Sequence, residues 1–238
     1  MGIQLTRLFS NNKYKVIFLS RSVKNVETKY TTKYFESGKK NYNFSKNIKY
    51  SESILDLKEC HIIFECLIED LEIKREYIDK ILKNTNGLIA SCTSTLTLQV
   101  ISDGFLGKER INIIHFSNPV SAMKIVEVVY QSNISEIHKN YIIELLNSIK
   151  YKIIEVPDIK GFVINSILFS LLYSAIRLNL DYSISKSSIN SLMKTGCGFP
   201  MGPFEIIELI GLDTVIRVLK NLDFYIDEDF SDKFKLKD

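Results

Sequence analysis

His115 closes one apolar run, Ile111-Asn112-Ile113-Ile114, and Glu127 lies inside the next, Ile125-Val126-Glu127-Val128-Val129. A histidine titrates near neutral pH. A carboxylate on one ring nitrogen leaves the other to take or give a proton. Such a pair is a general base for an alcohol. The plainer reading is a histidine that ends a strand and a glutamate on a surface, and spacing alone leaves both open.

The elements that must position this pair follow from the hydrophobic pattern. Lys15-Val16-Ile17-Phe18-Leu19 follows a polar turn and reads as a buried parallel strand. His61-Ile62-Ile63-Phe64 and Gly87-Leu88-Ile89-Ala90 repeat the pattern, and residues 151–156 give a last strand. Between them, residues 70–82 carry Leu71, Tyr77, Ile78 and Ile81 at helical spacing, and residues 135–149 form another helix. Strands alternating with helices predict an α/β domain with a mostly parallel sheet. From Gly161 the strands stop: 161–180, 185–194, 202–210 and 213–222 all read as helices. The boundary falls near Pro157-Asp158, giving a sheet domain over 1–157 and a helical domain over 158–238.

Composition excludes several classes. A net charge of +3 in 238 residues argues for neither nucleic acid nor a membrane surface as partner. The Lys- and Asn-rich stretch from Lys24 to Lys49 is the exception: it is either a solvated basic face or a site for phosphates. Cys60, Cys66, Cys92 and Cys197 show no paired framework and read as reduced thiols of an intracellular protein. The three histidines (61, 115, 138) are too far apart for a zinc pattern, so no metal is expected. The start, Met1-Gly2-Ile3-Gln4-Leu5-Thr6-Arg7, has no secretory signal. The apolar run Gly161 to Leu180 is long enough to cross a bilayer, but Asn165, Ser166, Ser170, Ser174 and Arg177 are spread along it. A helix buried in a bundle or dimer fits better.

Four blocks in register add a family resemblance. The stretch from His115-Phe116-Ser117-Asn118-Pro119-Val120 through Met123 to Glu127-Val128 resembles the H-F-F-N-P-V-x-x-M-x-L-V-E-V signature of the L-3-hydroxyacyl-CoA dehydrogenases, departing mainly at Ser117. Ala90-Ser91-Cys92-Thr93-Ser94-Thr95-Leu96 is similar to the family's S-N-T-S-S-L turn, with Cys92 in place of Asn. Gly161-Phe162-Val163-Ile164-Asn165 resembles P-G-F-x-x-N, with Lys160 in place of Pro. Residues 196–203, running on to Gly211-Leu212-Asp213, resemble G-x-G-x-P-M-G-P…G-L-D. The resemblance implies a Rossmann-type domain that binds NAD, then an all-helical domain that holds substrate and pairs two subunits as a homodimer. It implies an acyl-CoA substrate in fatty-acid β-oxidation or butyryl-CoA metabolism, in the cytoplasm or mitochondrial matrix.

The family's G-x-G-x-x-G motif, which sets pyrophosphate on a helix N-terminus, is incomplete here. Met1-Gly2 aligns with its final M-G, so the family's first strand and first two glycines are absent from this sequence. Counting from Gly2, Ser20 falls where the family has the ribose-binding Asp, and Ser20-Arg21 trades that carboxylate for a guanidinium. This is drift or a fork for a 2′-phosphate, which would admit NADP. Glu65-Cys66-Leu67-Ile68-Glu69 with Lys74 resembles V-E-A-x-x-E…K, which implies Glu69 and Lys74 beside the nicotinamide. Asn118 and Cys92 complete the implied cofactor contacts. The resemblance assigns proton transfer to His115, its orientation to Glu127, the reacting oxygen to Ser94, and substrate positioning to Asn165. The lysines between Ser22 and Asn47 are expected near CoA phosphates. The family's closing G-K-K-x-G-x-G-F-Y motif is not found after Leu222. The incomplete glycine motif, Ser20 and Cys92 sustain a second reading, a non-catalytic relative or fragment without a working cofactor site.

Overall fold

The computed structural model describes residues 1–22, 47–227 and 230; the lysine-rich 23–46 segment lies outside them, and so does the expectation that its lysines meet CoA phosphates. The chain divides into two compact units. One holds Met1–Thr93 and Leu98–Pro157, the other Ser94–Thr97 and Asp158–Asp238.

The first unit is a mostly parallel α/β fold. Its elements are α1 (Gly2–Asn11), β1 (Val16–Leu19), β2 (Ile48–Ser51), β3 (Ile62–Glu65), α2 (Leu71–Asn84), β4 (Leu88–Ser91), α3 (Leu98–Ser102), β5 (Ile111–Phe116), β6 (Ile125–Val129), α4 (Glu136–Ser148) and β7 (Lys152–Glu155). Side-chain caps start the helices where the sequence places polar residues. Asp70 accepts from the Ile73 N–H at 3.0 Å, and Ser135 from the His138 N–H at 3.2 Å.

The strands form two sheets, β1-β2 and β3-β4-β5-β6-β7. Among the described residues no strand hydrogen-bonds the outer edges of β1 and β3. All pairings are parallel except β5 with β6. The antiparallel step is dictated by chain length, since residues 117–124 are too few for the crossover that a parallel neighbour requires. One face of the larger sheet carries Leu88, Ala90, Ile114, Phe116, Val126 and Val128, which pack with Leu5 and Phe9 of α1 and Ile142, Leu145 and Leu146 of α4. Phe9 stacks on Phe64 with ring centroids 4.9 Å apart. Strand alternation turns Glu65, Ser91, Ile113, His115 and Glu127 to the other face, the one on which Lys74 of α2 lies.

Two details escaped the pattern reading. Strand β2 is a four-residue piece, Ile48-Lys49-Tyr50-Ser51, at the end of a polar stretch; its partner β1 orders it, with Val16 opposite Ile48. The helix expected over 185–194 ends at Ser191 and becomes a π-helical turn, Leu192–Gly196.

The second unit is helical: α5 (Phe162–Tyr182), α6 (Lys186–Ser191), α7 (Pro203–Ile210) and α8 (Leu212–Asn221). Phe169, Leu172, Ala175 and Ile176 of α5 pack with Phe204 and Ile207 of α7 and Val215 and Leu219 of α8. By length and composition α5 could cross a bilayer. Its serines are accommodated by back-bonding: the Ser170 hydroxyl donates to the Ser166 carbonyl at 2.7 Å.

The Gly-x-Pro-Met-Gly-Pro block does structural work in this unit. The Asn190 side chain of α6 accepts from the Phe204 N–H at 2.9 Å, and Glu205 accepts from the Gly202 N–H at 2.9 Å. A Cβ on Gly202 would sit 2.3 Å from Asn190 Oδ1 and 2.6 Å from Asn190 Cα, so this approach admits only glycine. Gly202→Ala is expected to cost about 1–3 kcal/mol, measured by chemical denaturation. An unchanged midpoint would show that α6 and α7 can part without penalty.

Candidate functional site

Antiparallel pairing sets His115 directly opposite Glu127, with both side chains on one face. His115 Nδ1 lies 2.8 Å from Glu127 Oε2, and both side chains are almost fully buried. A carboxylate only accepts, so Nδ1 carries the proton in this contact. Of the two openings in the sequence, the paired one is the outcome: Glu127 is not on a surface.

On the same face, at the carboxyl ends of β3 and β4, a buried polar network surrounds Lys74. Its ammonium, 1% exposed, lies 2.9 and 3.1 Å from the two Glu65 oxygens and 3.6 Å from Glu69. Ser91 donates to Glu65 at 2.6 Å, and Thr93 donates to Glu69 at 2.6 Å. The Leu67 N–H also donates to Glu65, at 2.6 Å. Glu69 and Lys74 therefore meet, a contact the motif did not specify. The carboxylate that anchors Lys74 is Glu65, which sequence reasoning passed over. The signal was available: an acidic residue that ends an apolar strand must find a cation or several donors.

Of the remaining cofactor candidates, Gly2 starts α1, and Cys92 and Asn118 lie against it. Helix α1 begins at Gly2 with no acidic residue in its first turn, and the Gln4 N–H donates to the Met1 carbonyl at 2.8 Å. A Cβ at Gly2 would lie 3.4 Å from Cys66 Cβ, so Gly2 packs against the residue that follows β3. Gln4, two residues on, braces the loop after β5: it accepts from the Val120 N–H at 2.9 Å and donates to the Asn118 side-chain oxygen Oδ1 at 3.4 Å. Cys92, buried, follows β4. Ser20 follows β1 and keeps the ladder through its N–H to the Ser51 carbonyl at 3.0 Å; Arg21 beside it is exposed. Gln4 is a further residue the sequence did not single out.

Ser94 and Asn165 meet in the helical unit. The Asn165 amide donates to the Ser94 carbonyl at 2.9 Å, and the Asn221 amide donates to the Thr95 hydroxyl at 3.0 Å. These bonds explain why four residues between β4 and α3 group with the helices. Asn165 fixes the backbone that carries the Ser94 hydroxyl.

Two family models match in tandem: the 3-hydroxyacyl-CoA dehydrogenase NAD binding domain over residues 1–159, and the 3-hydroxyacyl-CoA dehydrogenase C-terminal domain over residues 161–237. The chain belongs to the 3-hydroxyacyl-CoA dehydrogenase family. It is 34% identical over 170 residues to a 3-hydroxybutyryl-CoA dehydrogenase of Clostridioides difficile, which covers 70% of this chain and 60% of that protein. It is 32% identical over 160 residues to a mitochondrial hydroxyacyl-coenzyme A dehydrogenase of Rattus norvegicus, covering 66% of this chain and 51% of that one. The solved (S)-3-hydroxybutyryl-CoA dehydrogenase of Ralstonia eutropha superposes with a TM-score of 0.82 at 26% identity, covering all of this chain and 87% of that one. This family member spans roughly half to three-fifths of the length of the curated relatives it matches.

Proposed function

We propose that this protein interconverts an L-3-hydroxyacyl-CoA and the 3-ketoacyl-CoA with NAD(H), in fatty-acid β-oxidation or butyryl-CoA metabolism. The observation that carries the proposal is the buried His115–Glu127 rung, 2.8 Å from nitrogen to oxygen. A nicotinamide nucleotide supplies the hydride chemistry when bound. His115 Nε2 takes the proton of the substrate hydroxyl in one direction and returns it in the other. Glu127 holds the tautomer and stabilises the imidazolium that proton transfer creates. Ser94 offers its hydroxyl to the reacting oxygen, and Asn165 keeps Ser94 in place.

The residues present suit a dinucleotide. The start of α1 at Gly2 is a seat for pyrophosphate. Asn118, Cys92, Glu69 and Lys74 are the further residues for the nucleotide. Lys74 acts through the network it shares with Glu65, since its ammonium is enclosed by carboxylates. Ser20 and Arg21 sit where the adenosine ribose is expected; their lack of a carboxylate keeps NADP as the alternative nucleotide. The exposed apolar side chains of the helical unit, among them Ile167, Leu192 and Leu209, suit a homodimer. An intracellular setting, cytoplasm or mitochondrial matrix, completes the reading.

The test is oxidation of NADH and of NADPH driven by acetoacetyl-CoA, run side by side on the purified chain. Turnover is expected, and the nucleotide preferred assigns Ser20 and Arg21. A folded protein that turns over neither nucleotide would overturn the proposal in favour of a non-catalytic relative.

A further inference from the structure

Two thiols that take no part in the proposed proton transfer follow β3 and β4, and one of them, Cys92, is among the residues assigned to the nucleotide. The parallel register pairs Glu65 with Ser91, and the Cys92 N–H donates to the Glu65 carbonyl at 2.8 Å, so the next pair in line is Cys66 with Cys92. Strand alternation turns both thiols to the α1 face, away from the Glu65–Lys74 network, and both join the apolar cluster beneath α1. The Cys92 thiol donates to the Ala90 carbonyl at 4.0 Å, and Cys66 beside it is a neighbour that raises the Cys92 thiol's pKa. Neighbouring strands run about 4.8 Å apart, within the roughly 4.4–6.8 Å between Cα atoms that a disulfide spans. In the family pattern these two positions read Ala and Asn, so the pair belongs to this chain.

We propose that Cys66 and Cys92 are a redox-active pair, oxidised by hydrogen peroxide to a disulfide beneath Gly2 and returned to two thiols by a dithiol reductant. Cys66 is half-buried and Cys92 is buried, which orders the steps. The Cys66 sulfur attacks peroxide; an S–O bond forms, the O–O bond breaks, and one water leaves with the thiol proton. The Cys92 sulfur then attacks the Cys66 sulfur. The S–S bond forms, the S–O bond breaks, and a second water leaves with the Cys92 proton. Two thiols lose two electrons and two protons, and one peroxide becomes two waters. The neighbouring Cys66 thiol, and burial after it, hold the Cys92 thiol well above its usual range. It is therefore the less reactive of the two toward peroxide, which leaves the first oxidation to Cys66. The other cysteines serve as internal controls: Cys197 is exposed, and burial pushes the Cys60 thiol up.

The pair lies against the start of α1: a Cβ at Gly2 would be 3.4 Å from Cys66 Cβ and 3.9 Å from its sulfur. Drawing that sulfur toward Cys92 reshapes the floor under Gly2, so the disulfide is expected to weaken nucleotide binding; this consequence rests on the nucleotide reading above.

The experiment is a non-reducing peptide map of the whole chain, alkylated in denaturant before and after hydrogen peroxide. The expected result is a linked Cys66–Cys92 peptide, two hydrogens lighter than its parts, that disappears with dithiothreitol. In Cys92→Ser, Cys66 should stop at sulfenic acid and be trapped by dimedone. In Cys66→Ala, Cys92 should stay open to alkylation after denaturation. Peroxide that leaves Cys92 alkylatable in the unaltered chain, or that links Cys60 or Cys197 instead, would overturn the proposal. NADH titration of the reduced chain separates the two ideas. A linked peptide in a chain that never binds NADH sinks the nucleotide reading and leaves the disulfide standing.

Discussion

His115→Gln is expected to lower turnover of 3-hydroxyacyl-CoA on the order of 10²–10⁴-fold, the usual range for an acid–base group. Glutamine keeps a donor for the buried Glu127 and fills similar space, so circular dichroism and KM should change little. The loss should fall on kcat, because what disappears is a proton acceptor used in the transition state. Glu127→Gln is expected to fall in the same direction for a different reason. Its amide can donate as well as accept at His115 Nδ1, so it no longer enforces the tautomer protonated at Nδ1. Near-normal kcat in His115→Gln would remove the histidine from the mechanism. Normal kcat in Glu127→Gln alone would reduce Glu127 to a packing residue.

Glu65→Gln should be the most damaging single change to stability, because it leaves the Lys74 ammonium enclosed and short of a counter-charge. Breaking a buried pair in this way costs about 3–5 kcal/mol, against a total stability of roughly 5–15 kcal/mol for a domain. Lys74→Met alone leaves Glu65 with the Ser91 hydroxyl and the Leu67 N–H as its donors, and it should cost less. The pair Glu65→Gln with Lys74→Met should recover much of the loss, since no buried charge then lacks a partner at that position. Urea denaturation of the three variants makes the double-mutant cycle. Additive losses would show that the 2.9 Å contact carries no coupling.

Much of the larger sheet was legible because each strand is a short apolar run flanked by polar turns, and the helices carry their own caps at Asp70 and Ser135. The sense of β6 was written in the eight residues that precede it, although hydrophobic pattern alone does not report direction. Strand β2 was not legible, since its Ile-Lys-Tyr-Ser has no pattern apart from its partner. At the site, spacing left the pairing of His115 with Glu127 open and the family resemblance favoured it, whereas the contact of Glu69 with Lys74 was not foreseen. Gln4 and Asn221 were passed over because each acts through a neighbour distant in sequence, and a linear reading has no term for that; Glu65 was passed over although its place at the end of an apolar strand was a signal.

The β5–β6 rung separates two kinds of sequence change that look alike on paper. Ser121 to Lys124 form the exposed tip of the turn that joins the two strands, and nothing in the His115–Glu127 spacing depends on its length. Residues could be added there while the dyad keeps its geometry. One residue removed from within β5 or β6 would instead rotate that strand by a face, sending His115 or Glu127 into the cluster of Ile114, Phe116, Val126 and Val128. Drift in this segment is thus free in the loop and forbidden in the strands, and the chemistry is inherited as a register rather than as a distance along the chain.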